Sequence, residues 1–234
     1  EYREAIRINP ADARTRAGLA EALSENGEGE QAIIEGLEAL RRDPNIWNVH
    51  YALAGAFHRL NMWNAALFEC SEALRVDPTH QGDRVVQLAI CVTLFERAFQ
   101  SRGRYKWRIL QHFFAIFPTH RRTSVARSDW LAAREALEDY EKSYPGDPEA
   151  LTLLGRAQWA LGERSLVVDT LWKAFEADPS DPMPFSYLAK ALLILGRWRS
   201  FRRLFWRASD SLKADPRYRR MKRMEPLIDR APRE

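Results

Sequence analysis

Apolar residues recur three and four positions apart along most of the chain, as in Leu151, Leu154, Ala157 and Leu161, which is the spacing of one helix face. Read this way, the chain predicts two alternating sets of helices. The first set is 12–24, 46–59, 148–161 and 182–195, and the second is 30–42, 64–76, 164–177 and 198–212. The joints between partners hold Asn26-Gly27, Asn61, Gly162 or Gly196, residues that tolerate the left-handed turn after a helix. Val85 to Phe95 is the longest apolar run and is interrupted by Gln87 and Thr93. It falls well short of the ~20 residues that cross a bilayer.

The prolines give the pattern a period. Pro10, Pro44 and Pro78 are separated by 34 residues, and so are Pro145 and Pro179. The lines AIRINP, ALRRDP, ALRVDP and AFEADP end in such a proline, each with an alanine (Ala5, Ala39, Ala73, Ala174) five residues earlier. Proline there is a physical stop, because its ring clashes with a preceding carbonyl and it donates no hydrogen bond. A hairpin of this size cannot bury its own apolar face, and stacking on its neighbours does so.

Within the period the first helices read Arg16-x2-Leu19-Ala20-x2-Leu23, His50-x2-Leu53-Ala54-x2-Phe57, Leu151-x2-Leu154-Gly155-x2-Gln158 and Phe185-x2-Leu188-Ala189-x2-Leu192. The second helices read Ala32-x3-Gly36-x2-Ala39, Ala66-x3-Cys70-x2-Ala73, Val167-x3-Leu171-x2-Ala174 and Phe201-x3-Phe205-x2-Ala208. This large-small-large grammar resembles the tetratricopeptide repeat family over about two thirds of the chain. The resemblance implies an all-α fold: a right-handed α-solenoid of stacked antiparallel helical hairpins, whose first helices line a concave ligand face. The family's groove-facing positions fall here on Asn48, Tyr51 and His58, then Thr152, Arg156 and Trp159, then Ser186 and Lys190. A tyrosine and a tryptophan among polar donors suit an extended peptide or a partner helix; for Trp159 the alternative is packing against the adjacent helix. Chaperone-binding members of the family clamp a terminal carboxylate with lysines and asparagines. Ala17 and Glu21 stand at two of those places, which speaks against that clamp.

The repeat breaks between Pro78 and Pro145. There the pattern predicts a long helix over 83–99, a second over 105–117 before Pro118, and a loop THRRTSVARS. Ser128 is placed to cap a helix over 129–143. Two readings stand side by side: a decayed repeat, or an insertion that bends the solenoid or docks a partner. Pro216 comes three residues later than the stop-proline period predicts, and 217–230 is expected to form a terminal capping helix. The expected organisation is therefore one continuous solenoid. Residues 1–80 are a half repeat and two repeats, 81–144 a degenerate repeat with a basic loop, 145–213 two repeats, and 214–234 a capping helix and tail.

Charge changes this picture, because the overall +4 is distributed in blocks. Residues 1–100 carry a net −5, 101–128 a net +7, 129–196 a net −6 and 197–234 a net +8. The basic blocks hold Arg102, Arg104, Lys106, Arg108, Arg121 and Arg122, then Arg199, Arg202, Arg203, Arg207, Arg219, Arg220 and Arg223, with aromatic residues interleaved. Arginine among aromatics suits phosphates by bidentate hydrogen bonding and bases by stacking. It equally suits anionic lipid headgroups or an acidic protein. Contact between acidic and basic blocks of neighbouring copies is a further reading. The plain alternative is a solvated helix face, with arginine stems covering apolar surface.

Catalytic and metal-binding patterns do not emerge. The five histidines, His50, His58, His80, His112 and His120, lack the one-turn pairing or cysteine partners of a zinc site. The sequence shows no glycine-rich phosphate loop, no Gly-x-Ser-x-Gly elbow and no cysteine with an evident histidine partner. No catalytic residue, metal or cofactor is therefore expected. Cys70 and Cys91 are too few for a disulfide framework and read as buried reduced thiols, which points to the cytoplasm. The chain opens at Glu1, without Met and inside a predicted helix, so a truncated N-terminus is expected and a periplasmic or membrane-associated setting stays open.

Three functional readings follow. The first is a non-enzymatic scaffold that binds partner proteins as a subunit or assembly factor of a larger complex. The second is a peripheral membrane- or nucleic-acid-binding adaptor acting through 102–127 and 197–223. The third is the accessory repeat region of a longer enzyme, such as a glycosyltransferase.

Overall fold

The computed structural model describes residues 1–78, 80–100 and 124–223, and every regular element among them is a helix. The chain divides into two compact units, Glu1–Ser101 and Arg102–Glu234.

The first unit contains α1 (Tyr2–Ile8), α2 (Ala13–Glu25), α3 (Gly29–Arg42), α4 (Trp47–Arg59), α5 (Trp63–Val76) and α6 (His80–Gln100). Its helix ends follow from local chemistry. Asp12 caps α2 by accepting a hydrogen bond from the Arg14 amide. Gly27 and Asn61, in the joints after α2 and α4, take the left-handed conformation, with φ of 83° and 60°. Asp43 and Asp77, which end α3 and α5, are extended, as a residue before proline must be. The predicted stop prolines therefore act through the aspartate in front of them.

Each hairpin stacks on the next: α2 packs on α3 and α4, α4 on α5, and α5 on α6. Small residues permit the close approach, with Ala20, Ala32, Ala54, Ala66 and Ala73 all buried. At Gly36 the Leu53 side chain fills the space, 2.8 Å from where a Cβ would stand.

The second unit contains α7 (Ser124–Ser143), α8 (Pro148–Leu161), α9 (Arg164–Ala177), α10 (Pro182–Ile194), α11 (Trp198–Arg207), α12 (Asp210–Ala214) and α13 (Pro216–Lys222). Here α8 packs on α7, α9 and α10, while α10 packs on α9, α11 and α13. Aromatic rings run through its core. Phe185 lies 5.2 Å from Phe205 and 5.4 Å from Tyr218, centroid to centroid, and Phe201 lies 4.8 Å from Phe205.

Several helix expectations need correction. Ser128 lies inside α7, which begins at Ser124, so Ser128 is no cap. The helix expected over 198–212 ends at Arg207. Ala208 is extended there, and Ser209 caps the short α12 by accepting from the Leu212 amide. Of the helix expected over 217–230, Pro216–Lys222 is helical and 224–230 lies outside the described residues. Pro216 is also no displaced stop. Pro148, Pro182 and Pro216 recur at 34 residues and occupy the first turns of α8, α10 and α13, each behind a capping aspartate. α13 thus starts where the first helix of a further repeat would start. The expected helix over 105–117 and the basic loop after it lie outside the described residues.

Candidate partner-binding surfaces

In the first unit the candidate groove is built on α2, α4 and α6. Asn48 sits half-buried in the first turn of α4. Tyr51, one turn later, packs its ring against Ala54, Cys70, Ala73 and Val86. Burial holds its hydroxyl above the ordinary tyrosine range, with Cys70 and then Glu21 and Glu25 on α2 pushing the same way to a lesser extent. At the other end of α4, His58 Nδ1 lies 3.1 Å from Thr93 Oγ1 of α6, and its ring meets Trp63 edge-on at 5.1 Å. Burial lowers the His58 pKa, against the opposing pull of Glu96. The arrangement is one phenol and one imidazole held against the core, with Glu21 and Glu25 on the neighbouring α2 and Glu96 on α6. It can accept cations and hydrogen-bond donors. The three carboxylates were absent from the candidate groove set, and the signal that could have found them is the net −5 of residues 1–100.

In the second unit the groove-facing positions inferred from the resemblance are more enclosed. Thr152 is buried, and its hydroxyl donates to the Pro148 carbonyl at 2.6 Å. Ser186 is buried. Trp159 is only 3% exposed and belongs to the core cluster, with the Arg164 guanidinium 3.8 Å from its ring centroid. Packing is what this indole does here. Arg156 lies over the Tyr187 ring at 4.8 Å, and Lys190 is half-buried. Among these residues Arg156 and Lys190 retain partial access to solvent.

The basic residues divide in the same way. Arg102, Arg104, Lys106, Arg108, Arg121 and Arg122 lie outside the described residues, and so does the side chain of Arg220. Arg199, Arg202, Arg203, Arg207, Arg219 and Arg223 are exposed. Arg207 is ion-paired with Glu176, which also accepts from Trp172 Nε1 at 2.8 Å. The Trp172 hydrogen bond and Arg207 hold the Glu176 carboxyl below its usual range. Arg203 and Arg207 stand 5.5 and 5.9 Å over the Trp172 ring. The helix that carries them, α11, is sharply two-faced. Phe201, Leu204 and Phe205 are buried, while Arg199, Arg202, Arg203 and Trp206 form the opposite stripe. Trp206 is 87% exposed. The candidate set omits it, although a helical projection of 198–207 puts it on the arginine face.

Among the described residues no group of three or more His, Cys, Asp or Glu side chains could hold a metal ion, and no helix is long and apolar enough to cross a membrane.

No protein-family model matches the chain, and no curated protein matches it in sequence. Solved structures do. PilF of Pseudomonas aeruginosa is 16% identical with a TM-score of 0.64, over 93% of this chain and 85% of that one. MamA of Desulfovibrio magneticus RS-1 is 15% identical with a TM-score of 0.62, over 93% of this chain and 97% of that one. YrrB, described as a TPR protein with an unusual peptide-binding site, is 17% identical with a TM-score of 0.58, over 95% of this chain and 97% of that one. At these identities the likeness carries the architecture alone, and it agrees with the proline period and the hairpin stacking: the chain has the all-α helical-repeat fold of the tetratricopeptide repeat proteins.

Proposed function

We propose that this chain is a non-catalytic scaffold whose first unit holds a cationic segment of a partner protein along α2, α4 and α6. The observation that carries the reading is Tyr51, half-buried against the core on α4, in the half of the chain that carries a net −5, with Glu21 and Glu25 on the neighbouring α2. A phenol fixed by the core loses little entropy on binding, and nearby carboxylates reward lysine or arginine in the ligand. His58 and Glu96 extend the same chemistry towards the far end of α4. YrrB supplies a parallel, since that protein of this fold is described as having an unusual peptide-binding site. Tetratricopeptide-type proteins generally serve as protein-interaction scaffolds, and the proposed partner is a protein.

A calorimetric comparison of lysine- and arginine-rich, neutral and acidic peptides of equal length tests the reading. Basic peptides are expected to bind, with affinity that falls as salt rises. Tyr51→Ala and the Glu21→Gln, Glu25→Gln pair should each weaken binding about tenfold or more while leaving the helical circular dichroism signal intact. Equal binding of acidic and basic peptides, or no loss in these variants, would remove the first unit's groove as the site.

A further inference from the structure

The outer face of α11 lies in the second unit and has a different chemistry. Residues 197–207 contain five arginines and no acidic residue. Arg199, Arg202, Arg203 and Trp206 fall three and four positions apart, so they share one side of the helix, and all four are exposed. The opposite side is fixed to the core by Phe201, Leu204 and Phe205, so the stripe stands on a rigid base. Trp206 presents its indole on this stripe 87% exposed, an amphipathic ring with an apolar body and a polar N–H among guanidiniums.

The occupant can be argued from the ring and its surroundings. Sites for single-stranded nucleic acid line up several aromatic rings so that successive bases stack. Among the described residues of the second unit, Trp206 is the one exposed aromatic ring, and the Trp172 ring lies beneath Arg203 and Arg207. A lone projecting indole flanked by guanidiniums instead matches the boundary of an anionic bilayer. There the ring sits at headgroup depth and the guanidiniums meet phosphates. Ile194, at the end of the preceding helix α10, is also 62% exposed and adds apolar surface to the unit.

We infer that the Arg199, Arg202, Arg203 and Trp206 face of α11 is a docking surface for an anionic membrane, with Trp206 entering the interface and the arginines meeting lipid phosphates. No spanning helix is required, because attachment is peripheral and electrostatic with one aromatic anchor.

Co-sedimentation of the whole chain with unilamellar vesicles tests the inference. One set is phosphatidylcholine alone, and the other contains phosphatidylglycerol at about a third of the lipid. Binding to the anionic set alone is expected, declining steeply between low and physiological salt. Trp206→Ser and the Arg202→Ala, Arg203→Ala pair should each reduce it about tenfold or more, since each basic contact near such a surface contributes measurably. Phospholipid brominated near the headgroup should quench part of the tryptophan emission, and Trp206→Ser should abolish that part.

Thermal unfolding of each variant beside the parent separates lost docking from lost folding, and Trp206→Ser, at a ring 87% exposed, should leave it unchanged. Absence of sedimentation with anionic vesicles at low salt would overturn the inference. So would binding that is indifferent to Trp206→Ser, or tighter binding to single-stranded RNA or to polyglutamate than to the vesicles. None of these results depends on the peptide groove of the first unit, and Tyr51→Ala should leave vesicle binding unchanged.

Discussion

The Nδ1 atom of His50 on α4 lies 2.8 Å from Oε2 of Glu69 on α5, with both side chains buried. One period earlier, Arg16 Nη1 on α2 lies 2.6 Å from Glu35 Oε2 on α3. Each pair joins residues 19 apart, and the two pairs are offset by 34, so one polar clasp is repeated across the two helices of successive hairpins. The hairpin that ends at Pro179 has Leu151 and Thr170 at these positions and closes without a clasp.

The clasp predicts a coupling. Glu69→Leu should leave the buried His50 without its partner and destabilise the first unit by about 1–3 kcal/mol. His50→Leu together with Glu69→Leu should recover most of that loss, because paired apolar replacement removes both desolvation costs. Urea midpoints of the two single variants and the double variant give the cycle, and strictly additive effects would show that the contact carries no specific energy.

Asp147 performs two tasks. Its Oδ1 accepts from the amides of Glu149 and Ala150 at 3.0 and 3.2 Å, and its Oδ2 accepts from the Tyr140 hydroxyl at 2.8 Å. Asp181 caps α10 by accepting from the Met183 amide at 2.8 Å. Asp147→Ala should cost about 2–4 kcal/mol, a cap plus the buried Tyr140 hydrogen bond, against about 1 kcal/mol for Asp181→Ala. Tyr140→Phe should narrow the gap between them. Equal costs in chemical denaturation would show that the Tyr140 contact contributes nothing.

Gly155 makes the packing grammar testable. A Cβ there would stand 2.6 Å from Cγ and Cδ2 of Leu171 on the partner helix. The gain of about 1 kcal/mol in helix propensity should therefore be outweighed. Gly155→Ala should lower stability by about 1–2 kcal/mol net through overpacking. In a Leu171→Ala background, where both crowded atoms are gone, Gly155→Ala should cost less, and a single variant more stable than the parent would contradict the contact.

How much of this was legible depended on whether the cause was local. The stop prolines were readable because a residue before proline is driven out of the helix by sterics confined to neighbours, and Asp43, Asp77 and Asp178 all obey. The end of α11 was not. Alanine favours helix, yet Ala208 is extended because Ser209 caps α12 and donates its hydroxyl to the distant Pro179 carbonyl at 3.2 Å. The two tryptophans differ in this respect: the projection of 198–207 alone puts Trp206 on the exposed arginine face, whereas Trp159 sits at a groove-facing position and is buried by neighbours in space. The resemblance names groove-facing positions on the first helices, but the burial of Thr152, Trp159 and Ser186 follows from neighbours that a single-helix pattern does not contain.

Cys70 should be chemically silent in the folded protein. Burial, reinforced by the Glu69 charge, pushes its thiol up to about 12. At pH 8 its thiolate population, and with it the rate of attack on an aromatic disulfide reagent, should be about three orders of magnitude below that of an unfolded thiol. The raised value also means that the unfolded chain loses this proton first as pH rises. The associated stability is complete below about pH 9 and declines above it. Stopped-flow labelling in buffer and in urea checks the rate, and fast labelling of the native protein would argue against burial.

His58 shifts the other way and gives the first unit an acid limit. Burial holds its imidazole below the ordinary value, while its Nδ1 contacts Thr93 and its ring contacts Trp63. The unfolded chain binds the proton as pH falls through about 6.5, and the folded chain resists it. Stability tied to this site is therefore complete above that value and is lost progressively below it, down to the folded pKa. His58→Gln removes the titration but retains an amide that can hydrogen-bond Thr93. The slope of urea midpoint against pH between 7 and 5 should therefore be shallower in the variant, with the two proteins closest at the acid end. Identical slopes would show that His58 takes up its proton as readily in the folded chain as in the unfolded one.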